Sequence, residues 1–431
     1  MSDVSNRMRA DWNQRAREDA HYYVAFGSRD QDEASFLATG QAVVGALEAE
    51  LRRLPERGRA LEIGCGPGRL MKPLSRHFGE IYGVDVSDEM IGLARERLRD
   101  VPNAHVEATD GASLAQFADD SFDFVYSYAV FQHVPSKDVV REYMRETARV
   151  LKAGGVFRGQ FNGLPALANP DTWGGVSFSA GEIREFTKEH GLRLLALEGL
   201  GTQYMWTTWR KASPQQGRLL IGPQVTNLPH IRRITSAFTS EPLVPDRGRH
   251  AIMAIWITGL DEVWDINRTQ IQVDGAEATP VYFGPADRDG LRQVNAMLPE
   301  GARTGLLPVE LTGDGRLLAK PAMVRVIPAG PLIPRIVGVS DGINVIQENR
   351  TTTGLVKVHL EEIADPNTLR IWVDGEPVRG METMCTDPLP PRLEVNFRIP
   401  KSTTLGWHRM EVQIGNRRLH PHPLQVDYES S

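Results

Sequence analysis

The run Leu61-Glu62-Ile63-Gly64-Cys65-Gly66-Pro67-Gly68 constrains this chain more than any other stretch. An apolar strand pattern ends near a carboxylate and then meets glycine at every second position. Glycine turns the backbone tightly and lets a ligand approach the main chain closely. A helix that opens after such a turn offers free N–H groups, which favour a carboxylate or phosphate. The run therefore predicts a strand–turn–helix unit of an α/β sheet, with a ligand at the turn.

The surrounding sequence continues that pattern. ALEIGCG (60–66), EIYGVDV (80–86), FDFVYSYAV (122–130), GVFRGQFN (155–162), RLLALEGL (193–200) and QYMWTTWR (203–210) read as strands. KDVVREYMRETARVLKAGG, which starts at 137, has helical spacing and a glycine stop, and the stretch 1–50 reads as helical. Strand–helix alternation predicts a parallel, doubly wound sheet. Ligands of such sheets bind beyond the strand ends, where the strand order reverses.

Acids stand at the expected strand ends. A carboxylate at Glu62 suits an ammonium, directly or through water. Asp85 closes Tyr82-Gly83-Val84-Asp85, one strand–helix–strand step after Gly64, and suits two ribose hydroxyls. Asp110, in Ala108-Thr109-Asp110-Gly111, suits an adenine amino group, with an Asx turn before Gly111 as the lesser alternative. Glycines at 64, 66 and 68 depart from the G-x-G-x-x-G spacing of dinucleotide sites.

LEIGCGPGRL, YGVDVSDEMI, ATDG, FDFVYSYAVFQHVP and RVLKAGGVF together resemble the successive motifs of class I S-adenosylmethionine-dependent methyltransferases over residues 60–160. The resemblance implies a Rossmann-like α/β domain with S-adenosyl-L-methionine as cofactor. It places Gly64, Cys65, Gly66 and Gly68 at the methionyl and ribose part, and Asp85 and Val86 at the ribose. Met90, Asp110 and Gly111 fall near adenine, and Ser127 and Tyr128 border the cofactor. It leaves the acceptor open.

A hydroxyl acceptor benefits from a general base. His133, just past the fourth strand, is the candidate, and FQHVP also suits a purely structural strand cap. Tyr22 and Tyr23 could face a sulfonium or simply pack their helix. Cys65 reads as a small loop residue. His420 and His422 lack an acid or cysteine partner, so no metal site is expected.

Near residue 212 the chain changes character. KASPQQGR (211–218) reads as a linker, and short β-branched runs with turn residues follow. IQVDGAEATP (271–280) resembles IWVDGEPVRG (371–380), and VN-x-x-[LI]-P recurs at 294 and 395. A repeat of that length is a duplicated domain rather than a solenoid. We expect a methyltransferase domain with a helical cap over 1–212 and two all-β sandwiches over 220–330 and 331–431. The sandwiches loosely resemble immunoglobulin-like modules found beside other bacterial domains.

A net charge of −6 offers no basic footprint for nucleic acid. Two cysteines in different units argue against a disulfide framework. The polar N-terminus and the absence of a long apolar run predict a cytoplasmic protein with no membrane partner. The expected function is O-methylation of a small-molecule or glycan hydroxyl, with the β modules contacting a glycan or protein for targeting or association. Two alternatives are a non-catalytic cofactor-binding scaffold, or glycan- or protein-binding protein, and a nicotinamide-dependent oxidoreductase.

Overall fold

The computed structural model describes residues 3–25, 32–164, 170–212, 229–248, 250–330, 333–342, 349–363, 365–388 and 391–427. Most of the expected linker, residues 213–218, lies outside this set.

The first part contains α1 (Asp3–Ala25), α2 (Glu33–Ala46), α3 (Glu48–Arg52), β1 (Arg59–Ile63), α4 (Met71–Leu74), β2 (Glu80–Asp85) and α5 (Asp88–Arg97). There follow β3 (Ala104–Ala108), β4 (Phe122–Ser127), α6 (Lys137–Val150), β5 (Leu151–Phe161), α7 (Ala180–Glu189), β6 (Leu192–Glu198) and β7 (Met205–Lys211). Serines open three of the helices: Ser87 caps α5, Ser136 caps α6, and Ser179 forms a capping box with Glu182 on α7.

The strands run in the order β3-β2-β1-β4-β5-β7-β6. β1 to β5 are mutually parallel, whereas β7 is antiparallel to both neighbours. The sheet is therefore mixed rather than purely parallel. The tight return from β6 to β7 accounts for this, because short connections join antiparallel strands. The expected glycine stop of α6 is also absent. The chain leaves α6 at Leu151, which pairs with Phe122, and Gly154 and Gly155 lie inside β5. The strand order reverses between β1 and β4, so the turns after β1, β2 and β4 share one crevice.

The second part is built almost wholly of strands, and its duplication is visible strand by strand. The first copy has β8 (His230–Ser236), β9 (Val244–Pro245), β10 (Ile252–Thr258), β11 (Thr269–Val273), β12 (Ala276–Ala286), β13 (Leu291–Met297), β14 (Gly305–Gly313), β15 (Arg316–Leu317) and β16 (Ala322–Ile327). The second copy has β17 (Arg335–Asp341), β18 (Arg350–Thr351), β19 (Leu355–Glu361), β20 (Leu369–Val373), β21 (Glu376–Pro377), β22 (Glu382–Pro388), β23 (Pro391–Arg398), β24 (Gly406–Ile414), β25 (Arg417–Arg418) and β26 (His422–Val426).

The pairing β8-β10-β13-β12 repeats as β17-β19-β23-β22, and β9-β16-β14-β11 repeats as β18-β26-β24-β20. The long β12 corresponds to β21 and β22 together. Each VDG repeat forms the same tight turn, with Asp274 and Gly275, and Asp374 and Gly375, in the left-handed region. The second copy's two sheets enclose a single core whose members all lie between Val339 and Val426. The first copy instead shares one continuous core with the α/β sheet.

Candidate active site

The crevice beyond β1, β2 and β4 holds a cavity lined by Glu62, Ile63, Gly64, Cys65, Gly66, Arg69, Leu70, Asp85, Val86, Met90, Tyr128, Ala129, Val130, His133, Val134 and Tyr143. Met8, Trp12, Tyr23 and Val24 of α1 close it from above. Two glycines show why the turn is glycine. At Gly64, where φ is +73°, a Cβ would come within 2.3 Å of Val130 Cγ2. At Gly66, where φ is +51°, the nearest contact is Val24 of α1. The turn is thus pressed against both neighbours of the crevice.

Glu62 is buried at the end of β1 and accepts a hydrogen bond from the Tyr126 hydroxyl at 2.6 Å. Burial pushes its carboxyl up to about 8, against the opposing pull of Tyr126 and the Arg69 cation. Arg69 is itself buried. It donates to Thr39 Oγ1 at 2.9 Å and lies 5.5 Å from the Tyr128 ring, while its Nε has no hydrogen-bond partner. Asp85 accepts from the backbone N–H of Gly66 at 2.8 Å and of Ser87 at 2.9 Å. Burial raises its carboxyl above the usual range, and those N–H groups oppose the rise.

His133 ends a short 3-10 turn, Phe131–His133. Its Nδ1 lies 2.7 Å from the Trp173 carbonyl. A carbonyl only accepts, so Nδ1 carries the proton and Nε2 presents a lone pair, 3.3 Å from Gln132 Nε2. Burial lowers the imidazole to about 4, so the ring is neutral at pH 7.

Helix α1 crosses the crevice as two helical segments that meet at Asp19. Arg9 pairs with Asp88 at 2.7 Å and donates to the Thr109 carbonyl at 2.6 Å. Asn13 Oδ1 accepts from Ser87 Oγ, and Ala16 and Ala20 pack on Met90.

Nine of the residues expected from sequence line the cavity: Glu62, Gly64, Cys65, Gly66, Asp85, Val86, Met90, Tyr128 and His133. Four stand outside its lining. Ser127 donates its hydroxyl to the Ile63 carbonyl at 3.1 Å, tying β4 to β1. Asp110 is exposed and accepts from the backbone of Ala112 and Ser113, the geometry of an Asx turn. Gly68 packs against Leu98 and Ala94, and Gly111 against Val86. Tyr23 lines the cavity, whereas Tyr22 does not; its ring lies 5.2 Å from that of Tyr23.

Sequence reasoning missed Arg69, Met8, Trp12, Val24 and Tyr143. Arg69 directly follows the last glycine of the turn, which was the one available signal.

The donor set fits the expected cofactor. An acid and a buried arginine with an unsatisfied Nε lie at one turn, matched to an ammonium and a carboxylate, and a second acid lies at the next strand end.

Residues 61–158 match the family described as methyltransferase domain. Trans-aconitate 2-methyltransferase of Variovorax paradoxus is 38% identical over 87 residues, covering 20% of this chain and 32% of that protein. Ubiquinone biosynthesis O-methyltransferase of Sinorhizobium fredii is 34% identical over 99 residues, covering 23% and 38%. The matched segment thus spans about a third of the length of these relatives. Among solved structures, magnesium protoporphyrin IX methyltransferase of Synechocystis with bound S-adenosylmethionine is 18% identical, covering 49% of this chain and 99% of that one with a TM-score of 0.37. Residues 61–158 are a methyltransferase domain of the S-adenosylmethionine-dependent kind, with S-adenosylmethionine as cofactor.

Proposed function

We propose that the chain methylates a hydroxyl of a small molecule or glycan, and that its β units serve targeting or association. We propose further that it divides near residues 212 and 330, and that both β units are immunoglobulin-like sandwiches. The observation that carries the enzymatic reading is the convergence of Glu62, Arg69, the glycine turn and Asp85 on one cavity roofed by α1.

In this reading Arg69 and the backbone N–H groups of the turn hold a carboxylate, and Glu62 holds an ammonium. Asp85 takes the ribose hydroxyls, and Met90 packs beside the adenine. Ser127 acts indirectly by fixing the end of β1. Once bound, S-adenosylmethionine supplies a methyl group already activated on a sulfonium, so the protein mainly positions the acceptor and keeps the site dry. Met8, Trp12 and Val24 exclude water from above. His133 offers Nε2 to the acceptor hydroxyl once the hydroxyl displaces the 3.3 Å contact from Gln132 Nε2. So weak a base orients an acidic hydroxyl better than it deprotonates an aliphatic one.

The test combines two measurements on the full chain. S-adenosylhomocysteine should raise the unfolding temperature, and NAD should not. Labelled cofactor should then transfer methyl to a hydroxyl-bearing fraction of cell extract. Stabilisation by NAD alone overturns the reading. Tight cofactor binding with transfer to no fraction favours the scaffold alternative.

A further inference from the structure

The cavity has two ends of different chemistry. Asp85, Val86, Met90 and the glycine turn form one end, which the proposed cofactor occupies. The other end, past β4, is made of rings. Trp12 and His133 line it, with ring centres 5.6 Å apart and planes at 71°. Trp173 lies 5.7 Å from the His133 ring, and Tyr23 meets Trp173 edge-on at 6.1 Å. Trp173 nevertheless remains 46% exposed. An indole left half open beside a ring-lined cavity is a ready stacking face.

A cation lies against these rings. The Arg15 guanidinium lies 4.7 Å from the Trp12 ring and 5.4 Å from the Trp173 ring. It is held there by the Thr172 carbonyl and hydroxyl, at 3.0 and 3.1 Å. Its field reaches His133 and helps keep that ring neutral. The acids around these rings are held by other donors: Asp11 accepts from the Thr172 hydroxyl, Asp171 from the N–H groups of Trp173 and Gly174, and Glu18 from the Tyr23 hydroxyl. The two carboxylates that line the cavity, Glu62 and Asp85, belong to the other end. An anionic group entering past β4 can reach the Arg15 guanidinium beside Trp12 and Trp173, and among the described residues no carboxylate lines the cavity there.

We infer that the ring-lined end is an acceptor subsite for a planar, conjugated ring bearing a hydroxyl and a negative charge, with Trp12 and Trp173 as its specificity-determining residues. This rests on the methyltransferase reading and narrows its acceptor. The planar ring stacks on the indoles, its hydroxyl faces His133 Nε2, and Arg15 favours both the negative charge and ionisation of that hydroxyl.

Three probes test it on the full chain saturated with S-adenosylhomocysteine, by titration calorimetry. They are protocatechuate, its ring-saturated counterpart, and dopamine. Protocatechuate should bind about tenfold more tightly than its ring-saturated counterpart, the scale of one good aromatic contact, and more tightly than dopamine through Arg15. Trp173→Ala should abolish the preference over the ring-saturated probe while retaining S-adenosylhomocysteine binding, which also shows that the variant is folded. Trp173→Phe should retain that preference, and Trp12→Leu should reduce it. Equal affinities for the three probes, a preference over the ring-saturated probe that survives Trp173→Ala, or no binding of protocatechuate overturns the inference. Failure to bind S-adenosylhomocysteine at all overturns the proposed function instead.

Discussion

The two β units follow one strand plan and differ in polarity at one buried strand pair. In the second unit Leu360 pairs with Leu393, and both are buried in that unit's own core. At the equivalent place in the first unit Ile257 pairs with Arg292, which is only 2% exposed. The Arg292 guanidinium donates to the carbonyls of Gly284 and Asp261. Around it the first unit meets the α/β sheet. Tyr282 of β12 bridges to Ala196 of β6, and the Ile266 N–H donates to the Leu194 carbonyl at 3.0 Å. Asn267 donates to Thr187, and Arg53 donates to the Phe283 carbonyl while lying 5.1 Å from the Tyr282 ring. One copy keeps a leucine and a private core. The other takes an arginine and shares a core with its neighbour. The strand order is the same in both copies, and the residues that face the α/β sheet differ.

Heating should therefore show two transitions: one for the α/β sheet with the first β unit, and one for the second β unit. A single calorimetric transition breaks the comparison. Arg292→Ala should cost the first transition about 3 kcal/mol, since it empties a buried site and strands two carbonyls. Leu393→Ala should cost the second about the same through its cavity alone. Each should leave the other transition in place, and a shared loss breaks the comparison as surely as a single transition.

S-adenosylhomocysteine at a hundredfold its dissociation constant should stabilise the first transition by about 2.7 kcal/mol and the second not at all. Calorimetry with and without ligand checks this.

Glu62 gives the next effect. Its carboxyl is pushed up to about 8 in the folded state, from an ordinary 4.5. The unfolded chain therefore ionises first as pH rises, and stability is lost between those two values. Glu62→Gln should remove that loss, raising the first transition at pH 8 by on the order of 2 kcal/mol and leaving it little changed at pH 4.5. It should not move the second. A pH series of melts on both proteins decides the matter.

The smallest effect sharpens the similarity rather than the difference. Gly275 and Gly375 have φ of +79° and +83°, with nothing within 4 Å of an added Cβ. Alanine at either should cost about 1 kcal/mol, from backbone strain alone. The two penalties should match, each confined to its own transition. Unequal losses would show that the repeats differ in their turns as well as in their cores.

These contrasts also explain what the sequence could and could not disclose. Local chemistry was legible. The glycine turn, Glu62 and Asp85 announce themselves because a strand end and its turn are adjacent in the chain, and the VDG repeats mark equivalent turns in the same way. Residues whose role depends on a distant partner were not. Ser127 serves the Ile63 carbonyl, 64 residues away, rather than lining the cavity. Arg15 finds Thr172 at a separation of 157, a contact beyond reach of any local pattern even where a helical cap is expected. Trp12 sits in a polar stretch and carries no period that marks it as a cavity wall. Asp110 had two readings, and its hydrogen bonds follow the Asx turn. Arg292 carries no local signal that marks it as buried.

The bridge between Ala196 and Tyr282 bears on how the chain is made. β6 is the last strand of the α/β sheet, and its outer edge is met by β12. During synthesis that edge emerges well before its partner, and at about 5–20 residues per second the wait is several seconds. Through that interval the nascent sheet presents an uncovered strand edge, the feature most prone to pairing with a foreign chain. Truncation after residue 212 would make the interval permanent. The α/β part produced alone should therefore be harder to keep monomeric than the whole.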